Sequence, residues 1–212
     1  IGAISVACLP LSLWAAARLS VPAQRNTAAG GIKLHLIWRE LAGYVGFAMG
    51  YIVYLTFLSA WMTDQQAPAL LISAVWIIMG VALIASPFVW RGVLARHASG
   101  KPLAMILTGI AIGSALPLFL PAGGAVVILA VVFGLCVFMA PGAITSFIRQ
   151  NLPAESWAAA MSLFTVVFAI AQTAGPFAAG ALGDLTGNIG SSLLAAAAIL
   201  LTGAAVVVFQ KP

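Results

Sequence analysis

The stretch PALLISAVWIIMGVALIASPFVW, residues 68–90, contains no Asp, Glu, Lys, Arg or His. About 20 apolar residues, rising about 1.5 Å each, cross the roughly 30 Å hydrocarbon core of a bilayer, so this stretch is long enough to span one. Its apolar residues are continuous rather than alternating, which predicts a helix and not a barrel strand. A helix also pairs every backbone polar group within its own segment, as lipid demands. The stretch is flanked by Asp64 on one side and by Arg91 and Arg96 on the other.

Outward from it, six more stretches have the same character, at about 1–17, 37–61, 103–120, 124–148, 157–183 and 189–209. The fold class is therefore all-α integral membrane, with seven transmembrane helices. The composition agrees: 212 residues are 63% hydrophobic and 6% charged, too few ionisable groups to coat a surface facing water. A soluble globule, a disordered chain, a nucleic-acid-binding tail and a disulfide-stapled scaffold are excluded. Cys8 and Cys136 lie inside apolar stretches and read as small packing residues. The interruptions carry turn chemistry: Thr63-Asp64-Gln65-Gln66, Ala98-Ser99-Gly100-Lys101-Pro102, Pro121-Ala122-Gly123-Gly124, Asn151-Leu152-Pro153, and Asp184 to Asn188. Loops this short make successive helices antiparallel neighbours.

The basic residues orient the bundle. Arg18, Arg25, Lys33 and Arg39 fall in or beside the first loop, Arg91, Arg96 and Lys101 in the third, Arg149 at the fifth and Lys211 at the C-terminus. The second, fourth and sixth loops have none, and two of them carry Asp64 and Asp184. The positive-inside rule places the odd loops and the C-terminus in the cytoplasm, for a protein of the plasma or inner membrane. Residues 1–17 are read as a spanning helix and not a signal peptide, because no basic segment precedes them despite Ala15-Ala16-Ala17. The chain opens on Ile1 outside, and is expected to be the C-terminal piece of a longer protein.

Two helices three apart share a pattern. Ser86-Pro87-Phe88 leads to Gly92-Val93-Leu94-Ala95-Arg96, and Gly175-Pro176-Phe177 leads to Gly180-Ala181-Leu182-Gly183-Asp184. The first runs toward the cytoplasm and the second away from it, which describes an inverted repeat of three plus three helices, as in secondary transporters. Two unrelated Pro-kinked packing helices are the alternative.

The segment Gly43-Tyr44-Val45-Gly46-Phe47-Ala48-Met49-Gly50-Tyr51-Ile52-Val53-Tyr54-Leu55-Thr56-Phe57-Leu58 resembles the seventh helix of the YbfB/YjiJ-type major facilitator transporters. Phe168 to Pro176, followed by Gly180-Ala181-Leu182-Gly183-Asp184-Leu185-Thr186-Gly187, resembles the eleventh helix and its outer end. The resemblance implies that residues 1–17 are the last helix of a missing N-terminal half, 18–36 a basic cytoplasmic linker, and 37–212 the C-terminal six-helix bundle. The superfamily's loop signature, Gly-x-x-x-Asp-Arg-x-Gly-Arg-Arg, would lie upstream of Ile1. Its echo at Gly92 to Lys101 keeps the Gly, the Leu and the basic end, but has Arg96 where the pattern has an acid.

No ionisable residue lies at the middle of any expected helix, so these helices offer no evident proton or sodium relay. Arg39, Glu40 and Glu155 read as interfacial charges. Tyr44 and Tyr51, seven residues apart, share a helix face about 10 Å apart. Gln172 is near the centre of its helix and must find a polar partner or a wet cavity. The resemblance implies that Tyr44, Tyr51, Tyr54, Trp76 and Gln172 are candidates for the substrate cavity. Gly43, Gly46 and Gly50, with Gly109 and Gly113, form small-residue stripes, and Gly175 precedes a proline; Pro87, Pro141 and Pro176 each remove a helical hydrogen bond. Trp61, Trp90 and Trp157 are expected at the membrane interfaces.

The function expected is a secondary active transporter fragment moving a small organic solute by alternating access. Its partners are the bilayer, the N-terminal half and the solute, with no cofactor, metal or nucleic acid. An enzyme is disfavoured because His35 and His97 fall in loops, away from any intramembrane nucleophile or metal site. A retinal protein needs a lysine in its last helix, and 189–209 has none. The alternative is a self-contained seven-helix protein, either a homodimeric half-transporter or a receptor.

Overall fold

The computed structural model describes residues 34–120 and 122–212, and before them only Pro10 and Trp14. Most of the expected first helix, Cys8, and the cations Arg18, Arg25 and Lys33 lie outside the described residues. The backbone divides into two units, residues 1–30 and 31–212, and all the helices named below belong to the second. They are α1 (Leu34–Asp64), α2 (Ala69–Arg96), α3 (Lys101–Phe119), α4 (Ala122–Val137), α5 (Met139–Asn151), α6 (Trp157–Thr186) and α7 (Ile189–Val207), with a 3₁₀ turn at Ala154–Ser156. There is no strand among the described residues. Six helical segments are long and apolar enough to cross a membrane, α4 and α5 together counting as one.

The turns follow from local chemistry. Gly187 closes α6 in the left-handed region at φ 63°, a conformation that is unstrained only without a Cβ. Asn188 then caps α7 by accepting the Gly190 N–H at 2.8 Å. Between α4 and α5 the helix breaks at Phe138. Pro141 is the cause, since it cannot donate to the carbonyl four residues back, that of Val137, where α4 ends. The Trp90 indole donates at 2.8 Å to the Leu135 carbonyl in the last turn of α4. Trp90 is thus 8% exposed and Trp61 7%, so both rings pack against neighbouring helices rather than facing outward. Trp157 remains half-buried, under the Arg149 guanidinium at 5.3 Å.

α2 ends at Arg96 rather than Trp90. Nothing in Arg91 to Arg96 breaks a helix, and long arginine side chains can reach polar surroundings from a continuing helix. Arg91 and Arg96 are accordingly exposed helical residues and not loop residues.

Each helix packs against few others, and the neighbours form a row: α2 beside α4, α4 beside α3, α3 beside α7, α7 beside α1, α1 beside α6. Small residues permit the close approaches. A Cβ on Gly50 would stand 3.0 Å from the Ala196 carbonyl, and one on Gly46 3.3 Å from the Gly203 Cα, so α1 and α7 meet nearly backbone to backbone. Gly109 faces the Cys136 Sγ and Gly113 the Phe133 backbone, joining α3 to α4. Gly43 lies against Val207. α2 and α6 terminate the row, and α6 also touches α7.

Candidate functional site

The basic ends of the helices are held together by hydrogen bonds to backbone carbonyls. The Gln210 side chain donates to the Leu36 carbonyl at 2.7 Å, and the Arg39 guanidinium to the Phe209 carbonyl at 2.9 Å. Gly100 N–H donates to the Gln210 carbonyl at 3.1 Å. Asn151 donates to the Ala98 carbonyl at 2.6 Å, and Gln150 and Ser146 to that of Leu94 at 3.2 and 3.1 Å. The loop between α2 and α3, which follows Arg96, is thus clamped by amides from both sides. Glu40 is not an exposed charge. Its side chain is 1% exposed and its Oε2 has no hydrogen-bond partner, a burial that sequence position alone could not reveal because the C-terminal residues cover it.

At mid-membrane, α1 and α6 build an aromatic wall. Tyr44 stacks on Phe168 at 5.2 Å and meets Phe164 edge-on at 5.8 Å. Phe47 stacks on Tyr51 at 4.6 Å, and Tyr51 on Phe168 at 5.9 Å. The Tyr51 hydroxyl donates to Gln172 Oε1, crossing from α1 to α6. The seven-residue spacing therefore does place Tyr44 and Tyr51 against one partner ring, Phe168. Phe47, Phe164 and Phe168 were not singled out from sequence; their spacing on facing helices is the signal that could have found them.

Pro176 adds a second polar feature. It cannot donate to the carbonyl four residues back, which belongs to Gln172. The same defect at Pro87 frees the Leu83 carbonyl, and there the Ser86 hydroxyl fills it at 2.8 Å. The equivalent position before Pro176 is Gly175, which has no side chain to do so. Gln172 hence presents a freed backbone carbonyl and, with Oε1 engaged by Tyr51, an unspent amide N–H₂. Gly175 is itself a contact point, since a Cβ there would come 2.8 Å from the Met49 carbonyl of α1.

The other two candidates lie apart. Tyr54 is 0% exposed, with its ring 4.5 Å from that of Phe133 on α4 and its hydroxyl without a partner. Trp76 is 38% exposed on α2 and donates to the Ser59 hydroxyl of α1 at 3.0 Å. On a different side of α1, a cavity of about 180 Å³ is lined by Met49, Val53, Gly175, Ala179, Ser192 and Ala196 among others, and touches none of the five. It is apolar apart from Ser192, whose hydroxyl is engaged by the Ala179 carbonyl at 2.6 Å. No group of His, Cys, Asp or Glu suited to a metal occurs among the described residues.

Six apolar spans, proline-broken helices and an aromatic wall with one amide are the parts of a membrane carrier, and over residues 1–208 the chain matches the family described as uncharacterised MFS-type transporter YbfB. The chain belongs to this family. No curated protein and no solved structure matches it significantly. As a YbfB-type transporter it is an integral membrane protein of the major facilitator superfamily.

Proposed function

We propose that the chain supplies the C-terminal six-helix bundle of an alternating-access secondary transporter for a small, neutral or weakly charged organic solute. Its basic end and C-terminus face the cytoplasm. Tyr44, Tyr51 and Gln172 contact the solute, with Trp76 at the margin on α2.

The row of neighbours supports the internal repeat. Exchanging α1, α2 and α3 for α4/α5, α6 and α7 turns the five pairings of the row into one another: α1 beside α7 becomes α4 beside α3, and α1 beside α6 becomes α4 beside α2, while the lesser contact of α6 with α7 has no counterpart. That is the contact scheme of two three-helix units related by a pseudo-two-fold axis. The end helices support the missing half. α2 exposes Ile77, Val81, Ile84 and Phe88 along one face, and α6 exposes Val166, Ile170 and Phe177, surfaces against which an N-terminal bundle would pack.

The observation that carries the site is the Tyr51–Gln172 bond within the aromatic wall. It sits on the two helices whose crossing contains Pro176, and it leaves an amide donor and a backbone acceptor for a ligand. No charged side chain is adjacent, which suits a solute without a full charge. The test is a thermal-shift screen of the purified chain against uncharged and zwitterionic solutes. A solute that stabilises the wild type should lose its effect in Gln172→Ala and weaken in Tyr51→Phe. Stabilisation that is undiminished in both variants would place the site elsewhere.

A further inference from the structure

A further cavity lies at the basic end and touches none of the residues of the aromatic wall. It measures about 650 Å³ and is lined by Arg39, Ser99, Lys101, Lys211 and the apolar Val208 and Phe209. Its three cations come from three separate segments: the start of α1, the first residue of α3 and the tail after α7. Like charges brought together repel, so the arrangement calls for a negative counter-charge.

No acidic side chain lines the cavity. The chain has four acids in all. Asp64 and Asp184 belong to the opposite ends of α1 and α6, and Glu155 to the turn before α6. Glu40 lies behind the wall, its Oε2 3.0 Å from where a Cβ on Gly100 would stand, and it does not line the cavity. Arg39 spends one N–H on the Phe209 carbonyl and keeps others of its five donors free. Gly100 opens α3 without a side-chain cap, so the helix dipole adds to the positive field.

The rim decides which anion fits. Phe209 is 67% exposed and Val208 42%, and both stand in the same wall as Lys101 and Lys211. Trp38, itself exposed, stacks under the Arg39 guanidinium at 5.2 Å. A free anion gains nothing from this apolar border. A ligand with a phosphate at one end and acyl chains at the other uses both. We propose that the cavity binds the headgroup of an anionic phospholipid in the leaflet at the basic end, with the phosphate among Arg39, Lys101 and Lys211 and the chains along Phe209 and Val208.

The experiment is native mass spectrometry of the full chain released from micelles containing equal amounts of phosphatidylglycerol and phosphatidylcholine. Wild type should retain phosphatidylglycerol preferentially, and each cation removed should reduce that preference roughly fivefold at low salt. Lys211→Gln, in the tail beyond α7, cannot disturb helix packing and keeps the test independent of folding; Lys101→Gln/Lys211→Gln should lower the preference further. Arg91→Gln, outside the cavity, should leave it unchanged. Equal retention of the two lipids by wild type, or undiminished preference in the double variant, would overturn the proposal. Loss of bound phosphatidylglycerol in millimolar inorganic phosphate at constant ionic strength would also overturn it, by assigning the cavity to a free anion.

Discussion

α2 and α3 are consecutive in the chain and neither carries a charge along its apolar length, 69–90 and 102–119, yet the most apolar part of α2 is 22% buried and that of α3 56%. α6 matches α2 at 22%, and α1 and the α4/α5 segment match α3. Hydrophobicity does not separate the two groups, because lipid tails are as apolar as leucine and give helices no reason to hide apolar surface. Small residues set α2 apart. Gly80 and Gly92 of α2 would accept a Cβ with nothing within 4 Å, whereas Gly109, Gly113 and Gly134 on α3 and α4 each face a neighbouring helix. Glycines thus separate α2 from the inner helices, whereas α6 stays open although its Gly175 is occupied by α1.

The sharpest test of that contrast is a pair of glycine substitutions. Gly50→Leu drives a side chain into Leu200 and the Ala196 carbonyl, and should cost roughly 3 kcal/mol or abolish monodisperse folding. Gly80→Leu should leave the midpoint of thermal unfolding nearly unchanged. Equal loss in both would mean that α2 is packed as tightly as α1. The comparison then narrows to polar contacts between helices. Tyr51→Phe removes the hydroxyl that joins α1 to Gln172, and should cost about 1 kcal/mol in detergent unfolding, the scale of interhelical hydrogen bonds in membranes.

Tyr54→Phe has the opposite expectation. Its hydroxyl is buried without a partner, so deleting it removes an unsatisfied group and should raise stability by up to about 1 kcal/mol. A clear loss would show that the hydroxyl has a bound water or ligand as partner. Smallest of all, Ile84→Ser and Phe177→Ser on the open faces of α2 and α6 should change the stability of this chain by less than about 0.5 kcal/mol. With an N-terminal half co-expressed, the same two substitutions should weaken its co-purification, which would distinguish a docking face from one that meets only lipid.

Much of the architecture was legible because lipid imposes long, charge-free runs and charge at their ends. The six described spans fall where the apolar stretches end, give or take a turn, and Pro141 marks the break between α4 and α5. The errors came from residues that end a run without ending a helix: Arg91 and Arg96 continue α2. The burial of Trp90 and Trp61 was not legible either, since a tryptophan near a helix end can face a neighbour as readily as a headgroup, and only packing shows that these two meet neighbours. In the site, Tyr44 and Tyr51 were legible from helical spacing, and Gln172 from the cost of a buried amide. Phe168 was not, since a phenylalanine in an apolar helix carries no signal of its own.

The sequence by itself determined the solvent, the class of fold and the gathering of positive charge at one set of helix ends, because each follows from the free energy of placing a residue in lipid or water. Tertiary structure alone decided which helices are interior, that Tyr51 meets Gln172 while Tyr54 meets Phe133, that Glu40 is covered, and that Arg39, Lys101 and Lys211 share one cavity. Those facts depend on which surfaces come within a few ångströms of each other, and residues 39 and 211 become neighbours only when α1 and α7 pack glycine against backbone.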